Sequence, residues 1–263
     1  MTTTDQQDYA YLQATAREAQ AKNVPYLFHL NQPIGIWNYI RIANDITAQI
    51  SHGRLLDWGC GYGQMTYLLR QRGLSVTAFD VGPADATLPD IRMYRDLNVV
   101  RTEHPTTLPF EPGEFNAVLS CGVLEHVDEQ SQPGNERTSL NEIARVLQPG
   151  GALLIYQLPQ RYAWKESLIR RFKLGYAHPR RYTAAEITTM LQNAGFRVRR
   201  VRRANLLPRN LTGVPERWRT LYSRFSHLLL ALDGLLCRVP LLNQLAGVLE
   251  VTATRIAPLV EGK

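Results

Sequence analysis

The segment Leu55-Leu56-Asp57-Trp58-Gly59-Cys60-Gly61-Tyr62-Gly63 constrains this chain more than any other. A short apolar run ending in an acid, then three glycines at alternate positions, then the stretch Gln64 to Arg72, reads as a buried strand, a tight turn and a helix. Met65, Leu68 and Leu69 give that helix an inward face, and Gly73 stops it. Open α/β sheets bind ligands beyond the carboxyl ends of their strands, where strand order reverses. Asp57 stands at such an end. The N–H groups and positive dipole end of the following helix suit a carboxylate, and Asp57 suits an ammonium group. Together they fit the zwitterionic end of an amino acid.

Alternating patterns extend this unit. Arg54 to Asp57, Ser75 to Asp80, Ile91 to Tyr94, Phe115 to Ser120, Ala152 to Gln157, Phe196 to Arg203 and Val248 to Ile256 read as strands. Helices are expected from Ile34 to about Ser51, from Asn135 to Leu147, and from Thr183 to Asn193, where Glu186 completes a capping box. Val81 to Pro89 reads as a turn region, and Pro149-Gly150-Gly151 as the break before the fifth strand. The expected fold is α/β: a doubly wound, mostly parallel seven-stranded sheet with an antiparallel last strand. It divides into an N-terminal helical cap (1–53), a ligand-binding domain (54–203), a helical insertion (204–247) and a closing strand and tail (248–263).

Asp80 ends the second strand, where a carboxylate can hold both hydroxyls of a ribose. This pairing would equally suit a nicotinamide cofactor, but Gln64 breaks the G-x-G-x-x-G spacing of that class.

The chain resembles the class I S-adenosylmethionine-dependent methyltransferases. Leu55 to Gly63 looks like the first motif of that family, and Phe79-Asp80-Val81-Gly82-Pro83 like its ribose motif. Leu108-Pro109-Phe110, Phe115-Asn116-Ala117-Val118, Val123-Leu124-Glu125-His126-Val127 and Arg145 to Gly151 look like the later blocks, in the family's order. Asn116 departs from the family's usual Asp. The resemblance implies that Asp57, Gly59, Cys60, Gly61 and Gly63 hold the methionine part of S-adenosylmethionine. It implies Asp80 and Val81 at the ribose, and Ser120 and Cys121 at the sulfonium end. Asp96, Glu103 and Thr107 are three candidates for the adenine contact.

Methyl transfer from a sulfonium is an in-line displacement, so the protein must align a nucleophile at about 3 Å and, for a hydroxyl, accept its proton. His126, just past the fourth strand, is the candidate base, with Glu125 the second choice. In the resembling enzymes a His-and-aromatic loop after the fifth strand borders the acceptor, which makes His178, Arg181 and Tyr182 substrate candidates. Trp37, with Tyr26, Phe28 and His29, forms either a lid that excludes water or plain core. Three scattered cysteines give neither a disulfide framework nor a zinc site, and no metal is expected from them.

Charge is uneven: residues 159–263 carry 19 Lys/Arg against 6 Asp/Glu, in a chain of net charge +7. An anionic partner follows. Within the insertion, Trp218, Leu221, Tyr222, Phe225, Leu228, Leu229 and Leu232 fall on one helical stripe, with Arg217, Arg219, Arg224 and His227 off it. Such a stripe packs over the acceptor as a lid, meets an anionic membrane surface through 197–245, or makes a homodimer. The run from His227 to Glu250 is broken by Asp233, Arg238 and Pro240 and does not read as a membrane span. Neither a secretory signal nor a transit peptide is read in Met1 to Gln20, so the expected location is cytoplasmic, peripheral on the inner face of the membrane. The expected activity is methyl transfer to a small-molecule or lipid-linked acceptor, such as a glycolipid hydroxyl. The rivals are an RNA methyltransferase, which lacks a recognisable RNA-binding module, a non-catalytic S-adenosylmethionine-binding subunit, and a nicotinamide-dependent oxidoreductase.

Overall fold

The computed structural model describes residues 2–24, 27–83, 89–104, 106–128, 134–173, 175–209, 211 and 214–256. Its centre is a seven-stranded sheet in the order β3-β2-β1-β4-β5-β7-β6. The strands are β1 (Arg54–Trp58), β2 (Ser75–Val81), β3 (Val99–Thr102), β4 (Phe115–Cys121), β5 (Leu147–Pro159), β6 (Phe196–Ala204) and β7 (Val248–Arg255). Strands β1 to β5 pair in parallel, and β7 inserts antiparallel between β5 and β6. Strand order therefore reverses at β1 and β4, with β1 leading outward to β2 and β4 leading the other way.

Adjacent residues of the central strands serve opposite faces, as the two-residue period of a strand requires. Leu55, Ala78, Ala117, Leu119 and Leu154 share one core with the N-terminal helices α1 (Thr3–Ala21) and α2 (Pro33–Thr47) and with α3 (Gln64–Gln71). Leu56, Phe79, Val118, Leu153 and Ile155 share the other with α5 (Asn135–Val146) and α7 (Ala184–Asn193). The N-terminal helices are thus part of the sheet's own core. Thr183 and Glu186 cap α7 reciprocally, as the sequence predicts.

Three expectations fail locally. Ile91 to Tyr94 is not the third strand: Arg92–Arg95 forms a single helical turn, α4, and the strand is the β-branched run Val99–Thr102. The Tyr94 hydroxyl is held by the carbonyl of Gly61 at 2.8 Å, which fixes that turn beside the glycine loop. Pro149-Gly150-Gly151 does not break the chain before β5; it forms an irregularity within the strand, where register shifts between Phe115 and Ala117 of β4. The insertion stripe is not one helix. α8 (Glu216–Arg224) and α9 (Ser226–Leu236) meet at Phe225, which ends one and begins the other. The remaining helix, α6, is Trp164–Phe172.

The basic strand β6 lies at the sheet edge, where charge discourages pairing with another chain. Two of its arginines pair within the chain: Arg200 with Asp45 at 2.9 Å, and Arg202 with Glu250. Arg41 reaches the same buried Glu250 carboxylate at 2.5 Å. That part of the basic half therefore fastens α2 to the sheet.

Candidate active site

The loop after β1 is built on close approach. Gly59 and Cys60 both donate their N–H to the carbonyl of Phe79 at 2.9 Å, tying the loop to β2. Gly59 has φ +72°, and a Cβ there would lie 2.6 Å from Val123; Gly63 has φ +80°, and a Cβ would lie 2.4 Å from Leu97. Only glycine fits both the backbone and the space. Gly61 differs: a Cβ there meets nothing within 4 Å, so the loop faces open space at its middle.

Two carboxylates flank that opening. Asp57 is buried, and the Thr66 hydroxyl donates to it at 2.6 Å. Burial pushes its pKa up to about 6, against the Thr66 hydrogen bond, with the charge of Asp80 adding to the rise. Asp80 accepts the N–H of Gly61 and of Val81, each at 2.8 Å. Burial raises its pKa and the two backbone bonds pull it back. Ser120 Oγ, at the end of β4, and Gln64 Oε1, in the first turn of α3, are buried with no partner among the described residues. A buried carboxylate, an open glycine loop at a helix start and unpartnered oxygens are what a zwitterion with a ribose requires. The residues present fit S-adenosylmethionine.

A second group lies past β4. Leu124–His126 forms a 3₁₀ turn in which Glu125 is buried and His126 is exposed. His126 Nε2 is 3.8 Å from Glu125 Oε1. His178 comes from the loop before α7, and its Nδ1 is 3.0 Å from Glu166 Oε1 of α6. The rings of His126 and His178 are 5.8 Å apart, and one ligating-type atom from each of Glu125, His126 and His178 falls within a 4.8 Å group. The loop is anchored by Arg180, whose guanidinium grips Glu136 at 2.5 and 2.8 Å.

Comparison with known proteins identifies the family. Residues 15–201 match the family model described as a methyltransferase domain. This chain belongs to the class I S-adenosylmethionine-dependent methyltransferases. A Mycolicibacterium smegmatis protein whose name is that of an S-adenosylmethionine-dependent methyltransferase is 30% identical over 144 residues, 55% of this chain. The match spans only 52% of that relative's length. A ubiquinone biosynthesis O-methyltransferase of Saccharophagus degradans is 26% identical over 170 residues, covering 60% of this chain and 68% of the relative. Among solved structures, a 1,6-didemethyltoxoflavin-N1-methyltransferase of Burkholderia thailandensis superposes with TM-score 0.53 at 18% identity, over 98% of this chain and 92% of its own. At that identity the likeness shows the fold.

Within the methyltransferase, the other residues singled out from sequence are scattered. Tyr182 does not line an open pocket. It is fully buried in the core, and its hydroxyl donates to Glu136 at 2.7 Å. Arg181 is half-buried and donates to the Arg161 carbonyl. Trp37 stacks on Tyr9 at 4.8 Å and meets His227 edge-on at 4.3 Å, so it joins α1, α2 and α9. Tyr26 and the Phe28 side chain lie outside the described residues. Asp96 precedes β3, its carbonyl taken by Arg70, whereas the ligand edge is at the strand's far end, Thr102, followed by Glu103. Asp96 thus leaves the adenine candidates. Thr107 is exposed in the following loop.

Sequence reasoning missed Tyr39 of α2. Its phenol is raised well above the ordinary value by burial, then by Cys121 and Asp57, and Gln64 hydrogen-bonds it. It therefore stands among the ends of β1, β4 and α3. Nothing in the pattern of α2 marks it, because its neighbours belong to other elements.

Proposed function

We propose that this methyltransferase transfers a methyl group to a hydroxyl of a lipid-linked or similarly apolar small molecule, at the surface of an anionic membrane. S-adenosylmethionine, when bound, supplies a methyl group on a sulfonium, which is already an activated leaving group. Asp57, Gly59, Cys60, Gly61 and Gly63 hold its amino-acid end, Asp80 and Val81 the ribose, and Ser120 and Cys121 border the sulfonium side. His126 stands past β4 as the proton acceptor for the acceptor hydroxyl, with Glu125 beside it orienting the ring. His178 borders the acceptor. The relatives named as ubiquinone biosynthesis O-methyltransferases support an oxygen as the acceptor atom.

The observation that carries the membrane reading is that α9 is inside out. Its buried residues are Ser226 and Asp233, while Leu228 is 64% and Leu235 59% exposed. On α8, Trp218 and Leu221 are also exposed. Together the two helices line an apolar groove of about 530 Å³ with Leu211, Val214, Trp218, Tyr222, Phe225 and Leu229 among its walls. Contiguous apolar surface of this kind is covered in use. Arg217, Arg219, Arg224 and Arg238, which flank these apolar positions in the sequence, favour anionic headgroups over a neutral partner. No helix among the described residues is long and apolar enough to cross a membrane, so the contact proposed is interfacial.

The test is sedimentation with vesicles of anionic and of neutral lipid at low and high salt, alongside methyl transfer to hydroxylated polyprenyl and glycolipid acceptors. Pelleting with anionic vesicles alone, weakened by salt, is expected. A protein that stays in the supernatant with both overturns the membrane part. For the base, His126→Ala is expected to lower kcat by about 10²-fold or more, and undiminished turnover at saturating acceptor removes that role.

A further inference from the structure

We infer that Glu125, His126 and His178 form a binding site for a first-row divalent metal ion, of the zinc class, open to the acceptor side. The inference rests on the proposed active site and deepens it. The sequence gives no hint of a metal, because the two halves of the set are some fifty residues apart and neither has ligand spacing. The fold brings them together: β4 delivers Glu125 and His126 on one short turn, and the loop tied by Arg180 to Glu136 delivers His178.

Four features favour a metal over a plain polar cluster. The three side chains offer two imidazole nitrogens and a carboxylate oxygen within 4.8 Å of one another, a donor set that suits zinc and its neighbours rather than calcium or magnesium. His178 is backed by a carboxylate: its Nδ1 lies 3.0 Å from Glu166 Oε1, and its backbone N–H donates to the other oxygen of that carboxylate at 3.2 Å. That is the outer-shell arrangement that fixes the tautomer of a ligating histidine and turns Nε2 to the ion. Glu125 is a buried carboxylate whose Oε1 lies 3.8 Å from His126 Nε2, a gap that an ion held by both would bridge. Finally, His126 is exposed, so three protein ligands would leave coordination positions open, the pattern of catalytic rather than structural sites.

The consequence for the reaction is specific. With the ion bound, His126 becomes a ligand instead of a base. Held by Glu125, His126 and His178, the ion would act as a Lewis acid toward an acceptor hydroxyl, lowering its pKa so that the proton could leave to solvent. Without the ion, the same imidazole accepts the proton directly.

The experiment is titration calorimetry of the chelator-treated full chain with zinc chloride alone, with magnesium chloride as the hard-cation control and S-adenosylhomocysteine as a separate titrant. One zinc ion per chain is expected and no magnesium. Glu125→Gln, His126→Ala and His178→Ala are each expected to weaken zinc by about 10-fold or more, and Glu166→Gln by about 10-fold through His178. S-adenosylhomocysteine binding should persist in all four, which shows that the variants are folded. No zinc heat, or a zinc site unaffected by His178→Ala and Glu125→Gln, overturns the inference. In either case retained S-adenosylhomocysteine binding and loss of turnover in His126→Ala leave the proposed methyl transfer standing. Loss of S-adenosylhomocysteine binding in the unmodified chain would instead strike the cofactor site.

Discussion

Asp233 receives the guanidinium of Arg209 at 2.6 Å within the insertion; Asp233 is buried and Arg209 nearly so. The same carboxylate accepts the N–H groups of Asn205, at 3.2 Å, and Leu207, at 2.7 Å. A residue that in sequence interrupts an apolar run is therefore the anchor that holds α9 to the end of β6. Because Asp233 faces inward, the leucines beside it face out.

Removing this anchor takes the carboxylate from a largely buried guanidinium, leaving Arg209 its hydrogen bond to Asn205. Asp233→Ala is expected to cost about 3–5 kcal/mol, read by urea denaturation. A smaller loss follows for Asp233→Asn, which keeps an acceptor for the two backbone N–H groups. If both variants match the parent, the insertion is not held by this pair.

The exposed leucines should behave oppositely. Leu228→Gln with Leu235→Gln removes apolar surface that the fold does not use, so the Tm should stay within about 1–2 °C of the parent. Sedimentation with anionic vesicles should fall sharply. A large drop in Tm would show instead that these side chains pack within the protein.

Asp57 carries a pH prediction. Its pKa is raised by burial to about 6, so the folded state holds its proton more tightly than the unfolded chain does. Stability from this group is present below the ordinary carboxylate range, near pH 4, and is lost as pH rises through 6. The ionised carboxylate costs the ligand-free protein about 3 kcal/mol at neutral pH. Asp57→Asn should therefore raise the Tm at pH 7 while abolishing S-adenosylhomocysteine binding. In the parent, binding should weaken below about pH 6, as calorimetry across pH 5–8 would reveal. A flat profile with Asp57→Asn still binding would refute the assignment.

Gly59 is the strictest position in the loop, with φ +72° and Val123 2.6 Å from a would-be Cβ. Gly59→Ala should destabilise the protein by about 1–3 kcal/mol. The double variant with Val123→Ala should recover the steric part and not the backbone part. Full recovery would mean that the positive φ is unimportant.

Much was legible from sequence alone. Leu55 to Gly63 specified a strand, a turn and a helix start, because an apolar run, three glycines and an amphipathic stretch each obey a local rule. The positions of Asp57 and Asp80 were legible for the same reason: each stands near the end of a strand whose residues announce it. Ile91 to Tyr94 was misread because a short apolar run suits a strand or a helical turn equally, and the hydrogen bond from Tyr94 to Gly61 that decides it is long-range. The stripe from Trp218 to Leu232 was visible as apolar periodicity, which says that a face is apolar and not which way it points. Only the tertiary structure could turn Asp233 inward, assign Tyr182 to the core, set Tyr39 beside Asp57 and Cys121, and bring His178 to Glu125 and His126. Those placements depend on contacts between residues far apart in the chain, and no local pattern encodes them.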